Sequence, residues 1–290
     1  MIATYNDLYL DVRSVLRKEE AVDSPELEAR EIVCSAANKS KEEFYRDQRL
    51  YASPEIVEQV QSMLQRRLAG EPVAYLVGEW EFYGLPLAVN PHVLIPRDDT
   101  AVLAEQAIAY LKEQTDNVRV LDLCTGSGCI GLAIAAHVPD CRVVLADASE
   151  EALKVARVNV RINHLQKRTA ILKVDALQAP PDSFDGFRCI VSNPPYIPTQ
   201  DIEGLDVSVR DYEPRMALDG GEDGLTFYRA IAQKWKEALA PGGKLMFELG
   251  IGQADAVMRL MRHEGFGDLE LFEDTQGIAR VISGTKYTEI

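Results

Sequence analysis

Apolar residues recur at intervals of three and four up to about residue 75, whereas beyond residue 96 they fall into short runs that alternate with helical spacing. In the first region "YNDLYLDVRSVLRKEE", "SPELEAREIVCSAAN", "SKEEFYRD" and "SPEIVEQVQSMLQRRLAG" each place their apolar residues on one side of a 3.6-residue turn, which predicts helices. Ser24-Pro25 and Ser53-Pro54 read as helix starts, Ser40 with Glu43 reads as a capping box, and Gly70 closes the last segment. Helices this short bury their apolar stripes only against one another, so residues 1–75 are expected to form a small helical bundle.

Residues 76–96 change texture: β-branched and aromatic residues are punctuated by Gly78, Gly84, Pro86, Asn90 and Pro91, the pattern of a β-hairpin connector. A helix is expected from Asp99 or Thr100. After it the chain alternates strand and helix. "VRVLDLC", "RVVLAD", "TAILKVDAL", "FRCIVSNPPY" and "GGKLMFELG" read as strand segments with helices between them, and "DLELFED" and "IARVISGTK" close the chain. Repeated strand-helix-strand units predict a doubly wound, mostly parallel sheet of seven strands in an α/β domain over residues 97–290. The last two strands, joined by the short "TQG" link, are expected to pair as an antiparallel hairpin at the sheet edge.

Composition narrows the chemistry. With 290 residues, 47% of them hydrophobic and 27% charged, the chain can bury the core of one large domain plus a small one. The opening residues combine acids with short apolar spacings, unlike a signal peptide or a membrane span, so the default expectation is a cytoplasmic protein. Five scattered cysteines without a C-x-x-C pair point to free thiols, and four histidines far apart give no ligand spacing, so no metal site is expected. The net charge of −15, acidic on both sides of residue 96, disfavours binding to polyanionic DNA or RNA. Such a surface serves solubility or suits a basic protein partner.

Two stretches carry chemistry. In "VLDLCTGSGCIGLAIAAH" a buried strand runs into Thr125-Gly126-Ser127-Gly128 and then a helix, a turn that lets a ligand approach the backbone closely. Gly126, Gly128 and Gly131 satisfy G-x-G-x-x-G, and Asp147 ends the next strand where an acid accepts both ribose hydroxyls of an adenosine. This marks a nucleoside cofactor and fits a nicotinamide dinucleotide as well as S-adenosyl-L-methionine. Asp122 stands where it can orient loop amides or meet the amino-acid end of a methyl donor, and Asp175 and Ala176 stand where an adenine ring would lie.

The second stretch, "SNPPY", follows the fourth strand of the sheet. Two prolines remove two N–H donors and hold their carbonyls rigidly, Asn193 adds a side-chain acceptor, and Tyr196 offers a face for a planar group. The implied ligand is a planar nitrogen with hydrogens to donate, an amide or an exocyclic amine. Gripping those hydrogens localises the nitrogen lone pair toward an electrophilic methyl group, with no separate general base required.

"LDLCTGSGCIGLA", "ADAS" and "SNPPYI", with "EFYGLPLAVNPHVLIPRDDT" and the helical segment before them and "LDGGEDGLTFYRAI" and "GGKLMFELG" after, resemble the HemK/PrmC family over nearly the whole chain. These are class I S-adenosyl-L-methionine-dependent methyltransferases acting on peptide chain release factors. The resemblance implies methylation of the side-chain amide nitrogen of the glutamine in a Gly-Gly-Gln motif, with residues 1–75 holding the release factor and 97–290 performing the transfer. It implies cofactor binding by Cys124, Thr125, Gly126, Ser127, Gly128, Asp147, Ala176 and Asn193, and a hold on the glutamine amide by Asn193, Pro194, Pro195 and Tyr196. Asn193, Pro194 and Tyr196 form its catalytic set. Phe82, Arg97 and Thr100 occupy family-like positions without an assigned role.

The NPPY tetrapeptide also occurs in adenine-directed nucleic-acid methyltransferases, but the L-I-P-R connector and the helical domain do not normally accompany those. The sequence departs from the family pattern at three points: Cys124 where glycine is common, "RDDTA" for the usual R-P-E-T-E, and Ala176 for a bulkier residue.

Overall fold

The structure, a computed structural model, describes residues 3–114 and 118–287. Its contacts divide the chain into two compact units, Met1–Glu79 with Leu205–Tyr212, and Trp80–Gly204 with Glu213–Ile290.

The first unit is built from α1 (Tyr5–Leu16), α2 (Pro25–Ala37), α3 (Lys41–Asp47), α4 (Pro54–Leu68) and α5 (Val73–Val77). Leu8, Val12 and Leu16 of α1, Ile32 and Val33 of α2, and Val60 and Met63 of α4 supply the buried stripes expected from their spacing. An ion pair closes the interior, with Arg67 Nε donating to Glu28 Oε2 at 2.6 Å. Ser40 with Glu43 forms the expected capping box and Ser53 caps α4 through the Ile56 amide, whereas Ser24 makes no side-chain cap bond. Thr4 and Asp7 form a further capping box that starts α1. The "VAYLV" segment is helical despite its β-branched composition. A short stretch from the second half of the chain also joins this unit, carrying α9 (Val207–Arg210), and Tyr212 Oη donates to the Ala69 carbonyl at 3.2 Å.

In the second unit β1 (Glu79–Phe82) and β2 (Leu85–Ala88) pair as the expected hairpin. The sheet contains β3 (Val118–Leu123), β4 (Cys141–Asp147), β5 (Thr169–Lys173), β6 (Phe187–Ser192), β7 (Leu239–Glu248), β8 (Phe266–Glu273) and β9 (Ala279–Lys286). Its strand order is β5-β4-β3-β6-β7-β9-β8. The first five strands in that order run parallel, and β9 lies antiparallel between β7 and β8, which gives the expected edge hairpin. Helices α6 (Thr100–Lys112), α7 (Cys129–His137) and α8 (Glu150–Ile162) alternate with the first strands, and α10 (Thr226–Lys234) and α11 (Ala254–His263) with the later ones.

Successive residues of a strand face opposite sides, and the core splits accordingly. Val120, Val191 and Met246 pack with α6 and α7, whereas Leu121, Ile190 and Leu245 pack with Tyr228, Trp235 and Met261. The strand order reverses between β3 and β6, and ligands in such sheets bind in the crevice beyond the strand ends at that point. All five cysteines are free, four of them buried. Among the described residues no helix is long and apolar enough to cross a membrane.

Candidate active site

Register alone assembles the site. Leu123 of β3 pairs with Ala146 of β4 and with Ser192 of β6, and Ser192 pairs in turn with Phe247 of β7. The next residue on each strand therefore falls in one row along the carboxyl edge: Asp147, Cys124, Asn193 and Glu248. The glycine loop and the SNPPY turn thus lie side by side at the reversal point.

The loop is held by two buried acids. Asp122 Oδ2 accepts from Thr125 Oγ1 at 2.6 Å and from the Gly131 amide at 2.9 Å, so it orients the loop from within, and its Oδ1 has no partner. Burial pushes its carboxyl up to about 6, against the opposing effect of those two bonds. Asp147 Oδ2 accepts from the Gly126 amide at 2.9 Å and Oδ1 from the Ser149 amide at 2.8 Å. Each oxygen retains a lone pair for a ribose hydroxyl. The amides of Gly126 and Gly131 are therefore taken by the protein itself. Gly131 is needed for close approach, because a Cβ there would strike Leu145 and come within 2.9 Å of Asp122 Oδ2. Cys124 adopts φ +64 without glycine's freedom, a conformation that costs an L-residue about 1–2 kcal/mol.

A residue missed in the sequence ties this loop to the connector. Asn159 of α8, fully buried, accepts from the Ala88 amide at 2.6 Å and donates to the Ala88 carbonyl at 3.0 Å and the Ser127 carbonyl at 2.9 Å. The available signal is a polar residue on the apolar stripe of an amphipathic helix.

The SNPPY turn is clamped from behind. Ser192 Oγ donates to the Leu123 carbonyl at 2.6 Å, the Ile197 amide to the Leu218 carbonyl at 3.0 Å, and the Gly220 amide to the Ile197 carbonyl at 2.8 Å. Gln253 Nε2 donates to the Tyr196 carbonyl at 2.9 Å. Gly224 packs directly on this carbonyl at φ +71, where a Cβ would collide with the Tyr196 oxygen and sit 2.7 Å from Gln253 Nε2. Burial, with the Glu248 charge nearby, pushes the Tyr196 phenol up to about 12, so it stays neutral.

Of the three residues without an assigned role, Phe82 is buried in the core. Arg97 pairs with the buried carboxylate of Glu213, which also accepts from the Ile95 amide at 3.2 Å and so fastens the "LIPR" segment. Thr100, buried at the first position of α6, faces Asn193, whose Nδ2 lies 3.5 Å from Thr100 Oγ1. Glu248 was not singled out in the sequence. It is 4% exposed, its Oε2 has no partner, and burial pushes it up to about 7 while Thr100 and Asn193 favour the charged form.

A cavity of about 550 Å³ opens onto the row. Cys124, Thr125, Gly126, Ser127, Asp147, Ala176, Asn193 and Pro195 line it, whereas Gly128, Pro194 and Tyr196 support it from outside the lining. The Ala176 carbonyl accepts from Trp235 Nε1 at 3.0 Å. The connector adds His92, Val93, Leu94 and Pro96 to the wall. Asp147, Asp175 and Asp219 make the lining acidic, and among the described residues that form it there is no lysine or arginine. The Ser127 hydroxyl is buried without a partner.

Residues 7–78 match the family model of the PrmC N-terminal domain, and residues 100–207 that of the methyltransferase small domain. Similar curated proteins include "Release factor glutamine methyltransferase" of Thermodesulfovibrio yellowstonii, 40% identical over 88% of this chain and 90% of that one. The protein of the same name from Geobacter sulfurreducens is 40% identical over 92% of this chain and 91% of its own. Among solved structures the hMettl16 catalytic domain, in complex with MAT2A 3'UTR hairpin 6, aligns with a TM-score of 0.56. It covers 72% of this chain and 78% of that one at 19% identity, a likeness of fold.

Proposed function

The chain belongs to the family of release factor glutamine methyltransferases, and on that footing we propose that it methylates the side-chain amide nitrogen of the glutamine in a release factor's Gly-Gly-Gln motif. The methyl donor in this reading is S-adenosyl-L-methionine. The observation that carries the proposal is the row at the sheet edge, where the SNPPY turn adjoins the glycine loop and Asp147 over one cavity.

The pocket residues fit that donor better than a dinucleotide. A pyrophosphate asks for free loop amides or cationic side chains, yet the Gly126 and Gly131 amides are occupied and the lining is acidic. Acids suit a sulfonium cation. In this reading each oxygen of Asp147, which accepts one loop amide, also accepts a ribose hydroxyl, the unpartnered Ser127 hydroxyl offers a further polar contact, and Ala176 of the lining offers an apolar one. Bound there, S-adenosyl-L-methionine supplies an electrophilic methyl group.

The chain's own part is to bind and orient the glutamine. In this reading the Asn193 side-chain carbonyl and the Pro194 main-chain carbonyl accept the two amide hydrogens, and Pro195 and the Tyr196 ring fix the amide plane. A turn clamped by Gln253 and Gly224 holds these acceptors in advance, so little reorganisation is needed in the transition state. The helical unit, residues 1–75 of the sequence reading, is assigned to grip the release factor. In support, Tyr45, Leu50 and Tyr51 are each more than half exposed there. We place the activity in the cytoplasm, with the protein acting on translation termination.

The test is incubation with labelled S-adenosyl-L-methionine and, in parallel, a release factor, its Gln-to-Ala variant, DNA and tRNA. Label on the intact release factor alone is expected. Label on the variant as well, or on nucleic acid, would refute the assignment.

A further inference from the structure

Glu248 ends a strand whose preceding residues, Leu245, Met246 and Phe247, are apolar and buried, and it is itself nearly inaccessible with Oε2 unpartnered. A buried acid without full hydrogen bonding costs stability and calls for an explanation. Its surroundings supply one. Asn193 stands beside it on the adjacent strand, Thr100 of α6 lies over the same face with its Oγ1 3.5 Å from Asn193 Nδ2, and both side chains favour the charged form of the carboxyl. The charged groups that face it are Asp99 at the start of α6 and Arg280 on β9. Arg280 is itself committed, at 2.8 Å, to Asp99 and to Asp274. The neutral phenols of Tyr196 and Tyr228 and the neutral, buried thiol of Cys129 on α7 also face it, and the Tyr228 hydroxyl donates to the Glu248 main-chain carbonyl at 2.9 Å.

Thr100 has one hydroxyl proton and two lone pairs. When the Thr100 hydroxyl donates its hydrogen bond to the Glu248 carboxylate, Thr100 Oγ1 presents only lone pairs to Asn193, and only the amino group of Asn193 can answer them. The Asn193 carbonyl is then turned toward the cavity. We propose that Glu248 is a positioning residue for methyl transfer: acting through Thr100, it holds the Asn193 amide with its carbonyl oxygen facing the substrate nitrogen. This rests on the glutamine-methylation reading, in which that oxygen is an acceptor for the substrate amide.

A pH dependence follows. Burial holds Glu248 at about 7. Below that, the protonated carboxyl donates to Thr100, frees the threonine proton to face the Asn193 carbonyl, and lets the amide turn over. Turnover therefore rises as pH passes upward through about 7.

The test measures kcat against pH for the full-length wild type, E248Q, T100V and T100S with a release factor, alongside S-adenosylhomocysteine affinity by calorimetry. E248Q is expected to lose roughly tenfold in kcat, the scale of one misplaced hydrogen-bond acceptor, and to lose the limb near pH 7 while its S-adenosylhomocysteine affinity stays within about threefold. T100V should behave like E248Q, and T100S should recover most of the turnover that T100V loses. Wild-type kcat and pH profile in E248Q, full activity in T100V, or loss of S-adenosylhomocysteine binding together with turnover in E248Q would each overturn the inference and leave the methylation reading standing. A wild type that labels no release factor would overturn both.

Discussion

Asn193 and Glu248 stand at the same level on adjacent parallel strands, one residue beyond the Ser192–Phe247 pair, on the face of the sheet covered by α6. An amide assigned to grip substrate thus has a buried acid as its nearest strand neighbour. The two make opposite demands, since burial favours the neutral acid whereas orientation of the amide requires the charged one.

Asn193→Ala removes the side-chain acceptor and leaves the glycine loop and Asp147 untouched. Turnover should fall by about 10²–10³, the usual effect of deleting one preorganised polar group, while the Kd for S-adenosyl-L-methionine changes little. Calorimetry paired with single-turnover labelling separates the two effects. Undiminished turnover would remove Asn193 from the reaction.

Asp147→Asn keeps the size of the side chain but discards its charge. Hydrogen bonds to a charged group contribute about 1.5–3 kcal/mol, so the Kd for S-adenosyl-L-methionine should weaken by roughly tenfold to a hundredfold. An unchanged Kd would mean that Asp147 only braces the Gly126 and Ser149 amides.

Gly224→Ala drives a methyl group into the Tyr196 carbonyl at a backbone angle that suits glycine. Because the clamp sits behind the acceptor turn, turnover should drop by at least about tenfold, the loss expected when reacting groups are displaced by a fraction of an ångström. S-adenosylhomocysteine binding should persist. The contrary result is a variant that turns over normally.

Stability should depend on pH in an unusual direction. Asp122 and Glu248 are raised by burial to about 6 and about 7, so the folded state binds more protons than the unfolded state above the ordinary carboxylate range. Their contribution is fully present below about pH 4 and is lost as pH rises through about 7, at most about 3 kcal/mol for each. At the acid end, Asp219 and Asp274, lowered by hydrogen bonds from Thr199 and Arg280 respectively, lose their contribution. Melting temperature should therefore fall between about pH 5 and about pH 8, and the Asp122→Asn, Glu248→Gln double variant should flatten that slope. A melting temperature that climbs over this range would contradict the assignment.

Much of this was legible in the chain. The alternation of apolar runs and helical spacing identifies the doubly wound unit, and "SNPPY" stands out because prolines and a polar amide end a buried strand. Glu248 does not stand out, because "LMFELG" reads as an ordinary strand end. Its importance comes from adjacency to Asn193, which is fixed by strand order across a connection of more than forty residues. For the same reason Leu205–Tyr212, short and weakly patterned, gave no sign that it belongs with the helical unit. "VAYLV" misleads in another way: its β-branched residues favour strand, yet Val73, Ala74 and Tyr75 are buried within the bundle and burial decides the helix. Cys124 stands where glycine is common in the family, and its positive φ shows the cost of that departure in backbone strain.

What the protein does turns on which atom receives the methyl group. Mass spectrometry of a release factor treated with the enzyme and S-adenosyl-L-methionine tests it directly, by fragmenting the peptide that carries the Gly-Gly-Gln motif. One added methyl group on the glutamine side-chain amide, absent when Asn193→Ala replaces the wild type, is the predicted result. A methyl group on any other residue, or an unmodified peptide, would contradict it.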